Sequence, residues 1–182
     1  MKFSPLPLSG AYQVDLEKRE DERGFFARQF CEQEFASKGL NTDWVQMNIS
    51  HSTQAGTVRG MHFQRPPEAE IKMIRCLKGA IFDVIVDLRQ DSESYGEWYG
   101  AELSSDNRSL FYIPKGFAHG FQTLEPETEL LYWHSAAYSP KCEGGLNPQC
   151  ETLKIKWPLA VTEISNRDID FPNLNELDPI FS

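Results

Sequence analysis

Residues 80–88, Ala-Ile-Phe-Asp-Val-Ile-Val-Asp-Leu, repeat with period two. Ala80, Phe82, Val84, Val86 and Leu88 form one wholly apolar face, and Asp83 and Asp87 fall on the other. That period, carried by β-branched and aromatic residues, specifies a strand. Similar runs recur near 56–63, 70–77, 96–104, 109–113, 117–124 and 128–137. Turn signals separate them at Lys78-Gly79, Asp91-Ser92, Asp106-Asn107, Pro114-Lys115-Gly116 and Pro126-Glu127. A chain patterned this way has to stack its strands in sheets.

Many short strands at regular spacing predict an all-β fold, a jelly-roll or cupin-like β-barrel with short peripheral helices. Such barrels hold ligands between their sheets, with inward side chains as lining. One helix is expected at 31–38, with Gly39 ending it. The tail after Pro158 is polar and broken by Pro172 and Pro179, so it is expected to cover the barrel as loop and short helix. At 182 residues, 40% hydrophobic and 25% charged, the chain suits one globular domain over 1–182.

The net charge of −9 argues against nucleic acid and anionic membrane surfaces as partners. Cys31, Cys76, Cys142 and Cys150 show no C-x-x-C spacing, as expected of reduced thiols in a cytoplasmic protein. Residues 1–10 lack the apolar run of a signal peptide. No stretch approaches the roughly 20 apolar residues of a membrane span.

Few residues stand out as chemistry. In Arg59-Gly60-Met61-His62-Phe63-Gln64 an unbroken strand puts Val58, Gly60, His62 and Gln64 on one face and Arg59 on the other. Arg59 joins His62 only if a bulge near Gly60 re-aims it. Taken alone, His62 reads as a satisfied core histidine. His119 follows the tight turn Pro114-Lys115-Gly116 and sits between the small residues Ala118 and Gly120, which let a ligand approach closely. Two histidines are too few for zinc or iron, and Gln64 stands where a metal-binding cupin has its second histidine, so no metal is expected. Lys72 lies inside an apolar strand and needs a partner, for which Asp83 is the candidate. Tyr132 and Tyr138 fall on one face of the last long run.

Taken together, these segments resemble one family. They are Asp21-Glu22-Arg23-Gly24-Phe25-Phe26, Val45-Gln46-Met47-Asn48-Ile49-Ser50, the His62 and His119 segments, Asp83-Val84-Ile85-Val86-Asp87-Leu88-Arg89, Tyr138-Ser139-Pro140, Trp157-Pro158 and Ser165-Asn166-Arg167-Asp168. In that order, from about residue 10 to 172, the chain is similar to the dTDP-4-dehydrorhamnose 3,5-epimerase family. The resemblance implies a jelly roll that epimerises C3 and/or C5 of a nucleotide-linked 4-keto-6-deoxyhexose, with no metal or organic cofactor. It implies a homodimer whose N-terminal segment reaches the partner's pocket. His62 would be the base, held by Asp168, and Tyr132 the acid on the opposite face of the sugar. Lys72 and His119 would line the ketone region. Arg23, Phe26, Arg28, Gln46, Asn48, Arg59, Tyr138, Glu143 and Arg167 would bind the nucleotide diphosphate. A keto-sugar isomerase on the same scaffold, or a metal-dependent cupin, is the competing expectation.

The chain departs from the family pattern at a few positions. Arg28 stands where the family usually has a glutamate that accepts a bond from thymine, and arginine accepts none. The expectation is a different base, cytosine or guanine, or an Arg28 turned to solvent. Met47 replaces a common aspartate and Trp133 a common lysine, while Gln149-Cys150 replaces Asn-Asp.

Overall fold

The computed structural model describes residues 1–178, 180 and 181, so Pro179 lies outside the described residues. In chain order the strands are β1 (Lys2–Pro5), β2 (Tyr12–Asp15), β3 (Lys18–Asp21), β4 (Gly24–Ala27), β5 (Gln46–Ser52), β6 (Thr57–Gln64) and β7 (Lys72–Lys78). They continue with β8 (Ala80–Asp87), β9 (Trp98–Ser104), β10 (Leu110–Ile113), β11 (Phe117–Thr123), β12 (Thr128–His134), β13 (Glu143–Gly145) and β14 (Glu163–Ile164). The helices are α1 (Glu32–Ala36) and α2 (Asn166–Ile169), with a 3-10 turn at Leu174–Glu176. The runs read from the sequence are β6 to β12. The last stops at His134 rather than 137, so Tyr138 lies beyond the strand and is exposed.

The strands build a jelly roll of two facing sheets. One has the order β1-β2-β10-β7-β12-β5, the other β13-β6-β11-β8-β9, with β14 parallel to β6. The core between them includes Ile74, Cys76, Phe111 and Leu130 from the first sheet and Ile81, Ile85, Phe117 and Phe121 from the second. The apolar face of β8 points the other way. Val84, Val86 and Leu88 pack outward under Leu146, Cys150, Leu153, Trp157 and Leu174. The tail therefore covers the second sheet, and β8 is buried on both faces. On the outer face of the first sheet, Met73, Leu110 and Trp133 pack with Phe35 of α1. Trp133 is thus a core residue, which fits its replacing a lysine.

Helix α1 is shorter than the expected 31–38. It closes where Gly39, at φ 69°, donates to Ala36 and Leu40 donates to Phe35, a Schellman closure. No disulfide joins the four cysteines. Among the described residues no helix is long and apolar enough to cross a membrane.

One irregularity positions the site. In the pairing of β11 with β6, His119 lies opposite His62 but Phe121 lies opposite Arg59, so β6 carries one extra residue. The bulge falls at Gly60, where φ is 119°. A side chain at Gly60 would sit 2.5 Å from the Gly120 Cα and 2.8 Å from the His119 carbonyl. The bulge near Gly60 that the sequence allowed is present, and Arg59 reaches the same cavity as His62. Gly60→Ala combines a positive φ with a backbone clash and is expected to cost about 3 kcal/mol of stability. Urea unfolding monitored by circular dichroism measures that loss.

Candidate active site

The two sheets open at one end into a cavity of about 610 Å³, within the range of small-molecule sites. The second sheet contributes Arg59, His62, Gln64, His119 and Glu143, and the first contributes Gln46, Asn48, Ser50, Lys72, Tyr132 and His134. Period two explains the selection. Lys72 and Ile74 share the inward face of β7, and Leu130, Tyr132 and His134 share that of β12, so one strand supplies core at one end and chemistry at the other.

His62 is fastened from behind. Its Nε2 lies 2.8 Å from Asp168 Oδ1, and the Gly60 N–H donates to Asp168 Oδ2 at 3.1 Å. Asp168 is buried on α2, whose N-cap Ser165 accepts from the Asp168 N–H at 3.1 Å. An ionised carboxylate only accepts, so Nε2 carries the proton and Nδ1 is the basic nitrogen. Arg167 Nη2 is 3.1 Å from the same Nε2. A nitrogen that donates to Asp168 cannot accept from a guanidinium, so this is proximity. Arg167 is bound instead through Glu143 at 3.2 Å and Asp168 at 3.4 Å.

On the facing wall Tyr132 is enclosed, with its hydroxyl 3.3 Å from Ser50 Oγ. Burial holds its pKa above the ordinary phenol value, so the ring stays a neutral O–H. His119 is buried, and its Nε2 lies 2.7 Å from Asp83 Oδ1. Burial raises the pKa of Asp83 despite the facing histidine, and its second oxygen has no hydrogen-bond partner. Asp83 is therefore not the partner of Lys72. The Lys72 ammonium pairs with Glu70 Oε1 at 3.0 Å, because Glu70 sits two residues away on the same side. Glu70 Oε2 also lies 2.8 Å from His134 Nδ1.

Not every expected binding residue is in this cavity. Gln46, Asn48, Arg59, Tyr138 and Glu143 line it, with Tyr138 accepted by Glu143 at 3.1 Å at the mouth. Arg23, Phe26 and Arg28 do not line the cavity of their own chain. Arg23 pairs with Asp21 at the β3–β4 turn. Phe26 is 72% exposed. Arg28 Nη1 pairs with Glu34 at 2.7 Å beside a small separate depression. Sequence reading missed Glu70, His134 and Ser50. The period that places Tyr132 inward also places His134, and the same rule pairs Glu70 with Lys72. Among the described residues no group of three or more His, Cys, Asp or Glu is placed to hold a metal. The Gln64 amide donates to the Glu68 and Ala137 carbonyls.

A family model described as dTDP-4-dehydrorhamnose 3,5-epimerase matches residues 5–176. The chain belongs to this family. It is 41% identical over 182 residues to dTDP-4-dehydrorhamnose 3,5-epimerase of Sinorhizobium fredii, covering all of this chain and 93% of that one. Its fold is similar to the crystal structure of dTDP-4-dehydrorhamnose 3,5-epimerase from Elizabethkingia anophelis, with TM-score 0.93, 38% identity and 97% of each chain covered. It is also similar to dTDP-6-deoxy-D-glucose-3,5-epimerase from Legionella pneumophila in complex with dTDP-4-keto-L-rhamnose. There the TM-score is 0.92 at 33% identity, covering 100% of this chain and 98% of that one. Like those relatives, this family member is an isomerase by class.

The carboxylates behind the site are poised. For Asp168, burial pushes the pKa up, but the bond from His62 and that imidazole's charge outweigh it, and the net shift is downward. A lowered folded pKa stabilises the protein above the unfolded value of about 4, and the benefit is lost as pH falls through the folded value. The urea midpoint between pH 6 and pH 3 is therefore expected to fall more steeply for wild type than for Asp168→Asn.

Proposed function

We propose that this chain epimerises C3 and/or C5 of a thymidine diphosphate-linked 4-keto-6-deoxyhexose by proton removal and return through an enolate. The observation that carries this reading is the placement of the base and the acid. His62 stands on one sheet and Tyr132 on the facing sheet, across one cavity. Inversion at carbon needs a proton taken from one face and returned to the other, which a single group cannot do.

Each residue then has a physical task. His62 Nδ1 removes the proton beside the ketone, and Asp168 fixes the tautomer and stabilises the imidazolium. Charge builds on the ketone oxygen, where the Lys72 ammonium and His119 are the nearest stabilisers. Tyr132, kept neutral by burial, returns the proton. Arg59 and Arg167 supply the local positive charge for the diphosphate in a chain of net charge −9. No hydride moves, so the chemistry asks for no redox cofactor. The setting is deoxysugar synthesis, as for the relatives.

The same reading takes residues 1–182 as one domain acting in the cytoplasm. It places a second copy against this one, with the β3–β4 hairpin of each reaching the other's cavity. In support, Phe26 and Phe25 are exposed on that hairpin, and exposed Met47 and Ile49 flank the cavity mouth. Arg28 is held by Glu34 here, so its replacement of a glutamate does not demand a base other than thymine. Light scattering is expected to give a two-chain mass, and Phe26→Ala is expected to raise KM more than it lowers kcat. A single-chain mass at working concentration would sink the exchange.

The decisive test is turnover of dTDP-4-keto-6-deoxyglucose in heavy water, beside the CDP and GDP analogues. Wild type should place deuterium at C3 or C5. His62→Ala should lower the exchange rate about 10³-fold. Tyr132→Phe should keep exchange while losing inversion, because the enolate is reprotonated from the His62 side. No exchange with any of these sugars overturns the reading.

A further inference from the structure

One wall of the cavity carries a line of hydrogen bonds that proton transfer does not use. The Tyr138 N–H donates to Gln46 Oε1 at 3.0 Å, and Gln46 Nε2 donates to Asn48 Oδ1 at 3.2 Å. Asn48 Nδ2 lies 3.4 Å from His134 Nε2, and His134 Nδ1 lies 2.8 Å from Glu70 Oε2. Glu70 Oε1 takes the Lys72 ammonium at 3.0 Å. The line runs from the mouth, through β5, to Lys72 on β7.

Only one protonation state of His134 satisfies every link. Glu70 is ionised: burial pushes its pKa up, but the His134 bond and the Lys72 charge bring the net shift down. A carboxylate only accepts, so His134 Nδ1 carries hydrogen. Asn48 Oδ1 is already taken by Gln46, so Asn48 turns its NH₂ toward Nε2. Nε2 must then be a bare lone pair. A protonated His134 would set an N–H against an N–H and break the line there. The other charged or titratable groups near this ring are Lys72, Glu70 and Tyr132, whose ring stacks on it at 6.0 Å and 15°. His62 and His119 line the same cavity, and the β5 residues on that side, Gln46 and Asn48, are uncharged.

We propose that neutral His134 is a positioning residue which, through Glu70 and Asn48, locks the amides at the cavity mouth to the Lys72 ammonium and so holds the nucleotide sugar in register. The kinetic part rests on the epimerase reading. The lock itself does not. His62 and Tyr132 keep their own partners, Asp168 and Ser50, so loss of the lock weakens binding at the mouth and loosens the Lys72 ammonium without dismantling the proton-transfer pair. One neutral hydrogen bond contributes about 0.5–1.5 kcal/mol, so KM should rise roughly 3- to 10-fold.

The first measurement is nitrogen-15 NMR of histidine-labelled protein without substrate at pH 8, with the His134 signals assigned by their loss in His134→Gln. An Nδ1–H tautomer is expected. An Nε2–H tautomer overturns the lock whether or not the protein turns over any sugar. The second measurement is kcat and KM at pH 8. His134→Ala should raise KM. His134→Gln, which keeps both an acceptor and a donor, should restore it. An unchanged KM in His134→Ala, or a His134→Gln that restores nothing, defeats the assignment, and a wild type inert toward these sugars defeats the epimerase reading while the NMR result stands.

Discussion

Asp168 holds two groups with its two oxygens, the Gly60 N–H at 3.1 Å and His62 Nε2 at 2.8 Å. One buried carboxylate thereby ties the bulge in β6 to the orientation of the His62 imidazole. The bulge needs the close approach of Gly60 to Gly120, where neither position has room for a side chain. Without the extra residue, Arg59 would point away from His62. Backbone geometry, tautomer and the gathering of cations at the mouth all follow from this small region.

The rest of the fold keeps the two cavity walls apart and rigid. The second sheet is packed on both faces, against the first sheet inside and against the tail outside. The first is packed outside by α1 and its aromatic neighbours Phe3, Phe30 and Trp44. A cleft between two doubly covered sheets resists collapse, because closing it would disturb two close-packed layers at once. That packing holds the Tyr132 phenol and the His62 imidazole on opposite walls of one cavity.

The histidines and the lysine in the cavity each face a carboxylate, with different consequences. His62 has Asp168, His119 has Asp83, and Lys72 shares Glu70 with His134. The carboxylates beside His62 and His134, Asp168 and Glu70, are both held below the ordinary range by their partners. His119 faces an aspartate whose pKa burial raises, an arrangement suited to a fixed dipole rather than to proton transfer.

The sequence by itself determined the strands β6 to β12, and its family resemblance pointed to His62, Lys72, His119, Tyr132 and Asp168, which the fold brings to one cavity and its backing. Period two in β-branched residues is a local property, and it survives folding because burial rewards it. The short strands β1 to β4, β13 and β14 were not legible, since four-residue pieces such as Lys2–Pro5 carry too few periods and exist only by pairing with a neighbour. The seven-residue β5 was missed because it offers only two apolar residues, Met47 and Ile49. Tertiary structure alone decided the pairings. Lys72 takes Glu70 rather than Asp83, Arg59 turns inward at the bulge, and Glu70, Lys72, His134 and Asn48 meet across three strands and a loop. Those outcomes depend on sheet register and on groups far apart in the chain, and a local pattern contains no information about which distant partner a buried charge will meet.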